Sequence, residues 1–264
     1  MTRTPKPAVL ITGASSGIGR ETAKYLVRRG FRVFAAARKK DEGNLILDVT
    51  DPASVAAAAA TIAAEVGDRG LAGLVNNAGI AVPGPLEFVP IADFERQFDV
   101  NVTGQLRVTQ AILPLLRLGR GRIVNISSIA GRSAMPVMGP YSASKFALEA
   151  MSDSLRLELR PWNIHVALIE PGPIQSEIWA KAGSLEFSCE AEAMYPKLLV
   201  TGRKILERAV RTALPAERVS RDIHHALTAR WPKARYLIGG GSHLRIALEN
   251  IPTRLRDWII SRAI

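Results

Sequence analysis

The feature that most constrains this chain is a regular alternation of short apolar runs with longer helical stretches. Strand-length runs fall at 8–12, 32–36, 44–47, 73–76, 122–126, 165–169 and 235–238, and several are almost wholly apolar. Helical periodicity fills 18–29, 53–66, 92–116, 141–159 and 216–230. Strands apolar on both sides and separated by helices predict an α/β fold: a doubly wound parallel sheet of about seven strands with helices on both faces. Gly30, Gly67 and Gly70 stand where helices should stop, as residues that accept left-handed backbone. No linker, repeat or charge block divides the chain, so residues 1–264 are read as one domain. Two regions depart from the alternation. Residues 173–214 are too long for a simple crossover. Residues 243–264 form a helical C-terminal extension in which Leu244, Leu248, Ile251, Leu255, Trp258 and Ile259 recur at helical steps.

Charge is the feature most open to misreading. The formal net charge is +11, which raises the question of nucleic acid. Residues 1–40 carry ten Lys/Arg against one acid and residues 201–264 thirteen against five, whereas 41–200 carry twelve against eighteen. The cations are scattered at helical spacing among apolar residues, as on the wet sides of amphipathic helices, rather than interleaved with aromatics in a stripe. No nucleic-acid partner is expected. Cys189 is the single cysteine, so no internal disulfide can form, and no Cys/His set has metal-site spacing. No metal is expected. The first apolar run is too short for a signal peptide or a membrane span, and a reducing cytoplasm fits best.

The turn between the first strand and the first helix reads Thr12-Gly13-Ala14-Ser15-Ser16-Gly17-Ile18-Gly19. Gly13 permits a sharp exit from the strand, Gly17 a close approach of backbone to a phosphate, and Gly19 tight helix–sheet packing. The helix N-terminus then offers free N–H groups and a positive dipole end to a pyrophosphate. Gly13, Ser15, Ser16, Gly17, Ile18 and Gly19 are therefore candidate cofactor contacts. The same residues also match the G-x-S-x-G turn of serine hydrolases. That reading lacks an earlier strand to complete an oxyanion hole, and no His residue has the context of a base. Just past the second strand an acid would favour an unphosphorylated adenosine ribose; this chain has Arg38-Lys39-Lys40 instead. Arg38 can grip a 2′-phosphate in a bidentate pair.

Tyr141 and Lys145 are four residues apart in a helical stretch, hence on one face. An ammonium beside a phenol favours the phenolate, drawing its pKa down from about 10, and a general acid/base works best near the operating pH. Upstream, Ser127 and Ser128 leave the end of the fifth strand, Asn76-Asn77-Ala78-Gly79 end the fourth, and Pro171-Gly172 the sixth. Their convergence on the carboxyl edge matches where open α/β sheets bind ligands.

With these motifs assembled, the chain resembles the short-chain dehydrogenase/reductase family over nearly its whole length, on a Rossmann-type sheet. The resemblance implies a catalytic set of Asn101, Ser128, Tyr141 and Lys145. It adds Asp48 and Val49 as contacts of adenine, Asn77, Ala78 and Gly79 beside the cofactor, and Tyr141 and Lys145 as cofactor contacts too. Pro171, Gly172, Ile174 and Ser176 look like the segment holding the nicotinamide carboxamide. NADP(H) is the implied cofactor, with NAD(H) as the alternative. The implied reaction interconverts a ketone or aldehyde and an alcohol: Tyr141 moves the proton, Ser128 polarises the carbonyl, Lys145 lowers the tyrosine pKa and holds the ribose, and Asn101 positions a relay water. The segment 173–214 is similar to the family's substrate lid, and its apolar residues suggest a small hydrophobic substrate, steroid-, retinoid- or aryl-ketone-like. This lid and the Arg235-Tyr236-Leu237 strand resemble the hydroxysteroid/retinol dehydrogenase branch. A homodimer or homotetramer is expected, with the tail docked on protein rather than on a membrane. A non-catalytic dinucleotide sensor is the competing function.

Overall fold

The computed structural model describes residues 5–39, 44–175, 187–239 and 241–263. Seven strands form one sheet: β1 (Ala8–Ile11), β2 (Arg32–Ala37), β3 (Leu45–Ile46), β4 (Gly73–Asn76), β5 (Arg122–Ile126), β6 (Val166–Pro171) and β7 (Arg235–Ile238). Their order is β3-β2-β1-β4-β5-β6-β7, and every pairing is parallel. Each strand lies within two residues of the apolar run that predicted it. The helices are α1 (Gly17–Arg28), α2 (Pro52–Val66), α3 (Ile91–Phe98), α4 (Gly104–Gly119), α5 (Gly139–Glu158), α6 (Cys189–Met194), α7 (Pro196–Arg211), α8 (Ala216–Thr228), α9 (Ser242–Leu248) and α10 (Thr253–Ala263).

Successive side chains of a strand point to opposite faces, and β1 shows the result. Leu10 joins the core under α2 and α4, with Ile62, Leu74, Ile112 and Ile123. Val9 and Ile11 join the core under α1 and α8, with Leu26, Val124, Ile169 and Ile223. Burying one such side chain stabilises the fold by about 1.5–3 kcal/mol, and both faces of β1 are fully covered. Helix starts follow local chemistry: Asp51 accepts a hydrogen bond from the Ala53 N–H at 2.9 Å and Pro52 opens α2.

Two predicted helices are divided. The run 92–116 holds α3 and α4 joined by a π-helical turn over Asp99–Thr103, a widened turn of the kind often found at functional sites. The tail is not one helix either. It breaks between α9 and α10, where Pro252 offers no N–H to continue the ladder. Arg245 of α9 is anchored, donating to Ser133 Oγ at 3.0 Å and to the Ser133 carbonyl at 2.5 Å. Leu244, Leu255 and Trp258 stand 70 %, 49 % and 51 % exposed, so this part of the face is not covered by its own domain. Among the described residues no helix is long and apolar enough to cross a membrane.

Candidate functional site

Strand order reverses between β1 and β4, and a cleft of about 510 Å³ opens there along the carboxyl edge of the sheet. Of the residues singled out for a cofactor, Gly13, Ser15, Ser16, Gly17, Ile18, Arg38, Asp48, Val49, Asn77, Ala78, Gly79, Pro171, Gly172 and Ile174 line it, as do Ser128, Tyr141 and Lys145. Gly19 and Asn101 support it from behind. Ser176 lies outside the described residues.

The glycine loop is shaped by its neighbours. Gly13 has φ +64, and a Cβ there would come 2.8 Å from the Ala78 Cα. A Cβ at Gly19 would collide with the Gly13 carbonyl and the Asn77 amide. Gly19 therefore serves the loop's own closure, where sequence reasoning assigned it to helix–sheet packing. Thr12 and Asn77 tie this loop to β4. Thr12 Oγ1 accepts from the backbone N–H groups of Asn77 and Ala78, both at 3.0 Å, and Asn77 Nδ2 donates to the carbonyls of Thr12 and Gly13 at 2.9 and 3.0 Å. The Ser16 side chain makes no cap bond and α1 has no acid in its first turn, so the helix N-terminus faces the cleft uncompensated.

At the far end of the cleft, Arg38 is exposed just beyond β2. Burial pushes the Asp48 carboxyl up, but hydrogen bonds from the Thr50 N–H and hydroxyl, with the charges of Arg38 and Arg107, bring it below its ordinary value. Thr50 donates to Asp48 Oδ1 at 2.9 Å from its N–H and 2.7 Å from its hydroxyl. Arg107 fixes the same corner through the Val49 carbonyl, 2.5 Å away.

At the near end, Ser128 follows β5 and is buried. Its Oγ accepts from the Ala130 N–H at 3.1 Å and shares a hydrogen bond with the Tyr141 hydroxyl. Tyr141, in the first turn of α5, is buried, and desolvation raises its phenol above the ordinary value against the lowering bond from Ser128. Lys145 Nζ lies 5.8 Å from the tyrosine ring centroid and donates to the Ile126 carbonyl at 2.7 Å. Burial lowers the Lys145 ammonium to about 8, with Glu149 acting in the opposite sense. Burial thus dominates the phenol, and the Lys145 ammonium is turned to the Ile126 carbonyl.

Asn101 sits in the π-helical turn, fully buried. Its Oδ1 accepts from the Ile80 N–H at 2.9 Å; its Nδ2 donates to the Ile80 carbonyl at 3.0 Å and to Ser144 Oγ at 3.1 Å. Ser144 in turn donates to the Tyr141 carbonyl at 2.8 Å, so Asn101 holds α5 by its first turn.

A polar lattice beneath these residues escaped the sequence reading. Asn76 Nδ2 donates to Thr109 Oγ1 and Asn125 Oδ1, both at 2.9 Å, and Asn125 Nδ2 donates to Ser152 Oγ at 2.8 Å. It pins β4 to α4, β5 and α5. The doubled Asn76-Asn77 was its only sequence signal.

Beyond the Pro171-Gly172 end of the cleft lies the predicted lid. Its stem closes where Ile174 pairs with Leu214. Leu199 of α7, Ala191 of α6, Phe187, Tyr195 and Leu198 pack on Val137 and Phe88 as a small separate core, and the Tyr195 hydroxyl donates to Glu87 at 2.7 Å. Met194, Val200 and Ile205 are exposed. Ile178, Trp179 and Leu185 lie outside the described residues. The His residues that a hydrolase would need are placed elsewhere: His224 packs edge-on to Tyr25 and Phe31, and His225 bonds Tyr236.

A parallel sheet with a glycine-lined switch-point cleft and a buried Ser–Tyr–Lys set defines a dinucleotide-binding oxidoreductase architecture. Comparison with known proteins agrees. Residues 7–186 match the family model for short chain dehydrogenase, and the chain belongs to that family. It is 37 % identical to the NADPH-dependent 3-dehydrocapnine reductase of Ornithobacterium rhinotracheale, covering 95 % of this chain and 94 % of that protein. It is 39 % identical to retinol dehydrogenase 16 of Mus musculus, covering 96 % and 87 %. A short chain dehydrogenase from Burkholderia cenocepacia J2315, solved in complex with NADP, superposes with a TM-score of 0.75 at 25 % identity, over 98 % of this chain and 97 % of that one.

Proposed function

We propose that this chain is an NADP(H)-dependent oxidoreductase that interconverts a ketone or aldehyde and an alcohol on a small hydrophobic substrate. One observation carries the reading: a hydrogen-bonded Ser128–Tyr141 pair, with Lys145 one turn along, is buried at the foot of the switch-point cleft. The cradle suits a dinucleotide. Side chains at Gly13 and Gly19 would collide with the loop and its Asn77-Ala78 neighbours, so only glycine allows its shape, and the acid-free N-terminus of α1 suits a pyrophosphate. Arg38 beside the adenosine corner suits a 2′-phosphate, in keeping with the NADP and NADPH named for the relatives.

NADPH held in this cradle would supply hydride chemistry at the carbonyl carbon. Ser128 donates a hydrogen bond to the carbonyl oxygen and stabilises the charge developing there. Tyr141 delivers its hydroxyl proton to that oxygen, completing the alcohol. A phenol held above its ordinary pKa is protonated at neutral pH, the form that reduction needs. Lys145 binds the ribose and, once drawn off the Ile126 carbonyl, favours the phenolate left behind. Asn101 fixes the start of α5 and positions the water through which Lys145 is reprotonated. The small apolar core of the lid and the likeness to a retinol dehydrogenase support a steroid-, retinoid- or aryl-ketone-like substrate.

The test is consumption of NADPH, followed at its own absorbance, across a panel of aryl, steroid and retinoid carbonyls. Turnover on at least one is expected. Tight NADPH binding with no turnover on any of them would replace the enzyme reading with that of a sensor.

A further inference from the structure

Behind Lys145 lies a buried charge cluster that the proposed chemistry does not use. Glu149 follows Lys145 by one helical turn on α5 and is 6 % exposed; Glu170, on β6, is fully buried. One oxygen of each carboxyl group, Glu149 Oε1 and Glu170 Oε1, is buried without a hydrogen-bond partner among the described residues, and each charge raises the cost of the other. Arg235 of β7 reaches in from the sheet edge. Its Nε donates to Glu149 Oε2 at 3.2 Å and lies 3.1 Å from Glu170 Oε1, while a terminal nitrogen donates to Asp153 Oδ2 at 2.7 Å. Arg132 adds a contact to Glu170 at 3.4 Å, and Arg156 pairs with Asp153 at 2.6 Å. One guanidinium therefore joins the helix bearing Tyr141 and Lys145 to the strand ending in Pro171-Gly172.

Such a cluster is costly to bury. Two carboxylates in contact repel, and removing one partner of a buried pair leaves an uncompensated charge. A hydrophobic trio would tie the same elements together without that cost, so the charge calls for a separate role. Lys145 is the ionisable neighbour it acts on. Burial and Glu170 push Glu149 up to about 7, against the pull of Arg235. Above that pH its negative charge opposes the desolvation that draws Lys145 down to about 8.

We propose that Glu149 and Arg235 are positioning residues for Lys145: Arg235 holds Glu149 as a carboxylate against Glu170, and Glu149 keeps Lys145 cationic for the cofactor. The proposal rests on the reading of Lys145 as a cofactor contact, and its test separates the two.

NADPH affinity, read by the fluorescence of the reduced nicotinamide between pH 6 and 10, measures the charge on Lys145 without turnover. The affinity of the natural chain falls as Lys145 loses its proton. In Glu149→Gln, which keeps the shape and removes the charge, the midpoint of that fall moves down by about one pH unit. Arg235→Met moves it the same way, Arg235→Lys restores it, and Asp153→Asn, which loosens the tie without touching Glu149, leaves it in place. An unmoved midpoint in Glu149→Gln, or an equal shift in Asp153→Asn, overturns the proposal. Lys145→Met is the separate control. If it binds NADPH at pH 7 as tightly as the natural chain, the assignment of Lys145 fails and this proposal with it. If it binds weakly while Glu149→Gln shows no shift, the cluster alone fails.

Discussion

The carboxyl edge of the sheet and the helices beyond it differ in how their residues are held. Along the edge, Asn77, Asn101, Ser128 and Lys145 each have hydrogen-bond partners on a second element, and most of the groups that face the cleft are buried or half-buried. The lid and tail rest on a handful of packed residues and leave Met194, Leu244 and Trp258 more than half exposed. Geometry that must hold to a fraction of an ångström is built on strands and locked by neighbours. Surfaces that choose among substrates are carried on appended helices. On the proposed function, the reaction belongs to the first region and the choice of molecule to the lid of the second.

The sharpest way to break that division is at Tyr141. Tyr141→Phe should lower turnover by about 10²–10⁴-fold, the usual value of a general acid, while NADPH affinity measured by fluorescence stays close to that of the natural chain. A comparable loss of affinity would mean that Tyr141 builds the cleft instead of acting in it. Next in size is cofactor choice at the opposite end of the same edge. Arg38→Asp should weaken NADPH use by about 10–100-fold through loss of a charge-assisted bidentate contact, with little change for NADH; equal losses in steady-state kinetics would remove Arg38 from that role.

The buried cluster gives an effect on stability. The Glu149 pKa is higher in the folded chain, about 7, than in the unfolded chain, so its contribution is full below the ordinary carboxylate range and is lost as pH rises through 7. Unfolding by denaturant should show about 2–3 kcal/mol less stability at pH 8 than at pH 5 from this group, and Glu149→Gln should flatten the difference. A slope unchanged in Glu149→Gln would place the pH dependence elsewhere. The smallest effect belongs to the outer region. Trp258→Ser should change stability by no more than about 0.5 kcal/mol, as for an exposed site without a buried partner, and leave turnover on a soluble ketone unchanged. A larger loss of either would show that the tail is part of the working core.

Much of this architecture was readable in the sequence. Fully buried parallel strands must be apolar on both faces, so runs such as Val9-Leu10-Ile11 announce themselves. The Tyr141–Lys145 step is local on one helix and the strand-end motifs are contiguous, so their gathering followed from the sheet alone. Contacts between distant segments were not readable. Arg235 reaches Glu149 across 86 residues, and Asn76 reaches Asn125 across 49; nothing in either neighbourhood marks its partner. The π-helical turn at Asp99–Thr103 left no trace, because an amphipathic pattern tolerates one extra residue per turn. The break in the tail did leave one: Pro252 stood in plain view inside a pattern read as continuous.

The position of β1 inside the sheet, with a partner on each side, bears on how the chain is made. β1 pairs with β2 on one side and β4 on the other, so a nascent chain can complete the first pairing long before Gly73–Asn76 has been translated. At roughly 5–20 residues per second, the second edge of β1 waits on the order of seconds for its partner. During that interval Val9, Leu10 and Ile11 present an apolar, unpaired strand edge, the kind of template that recruits other chains. Slowing translation between β2 and β4 would lengthen that exposure.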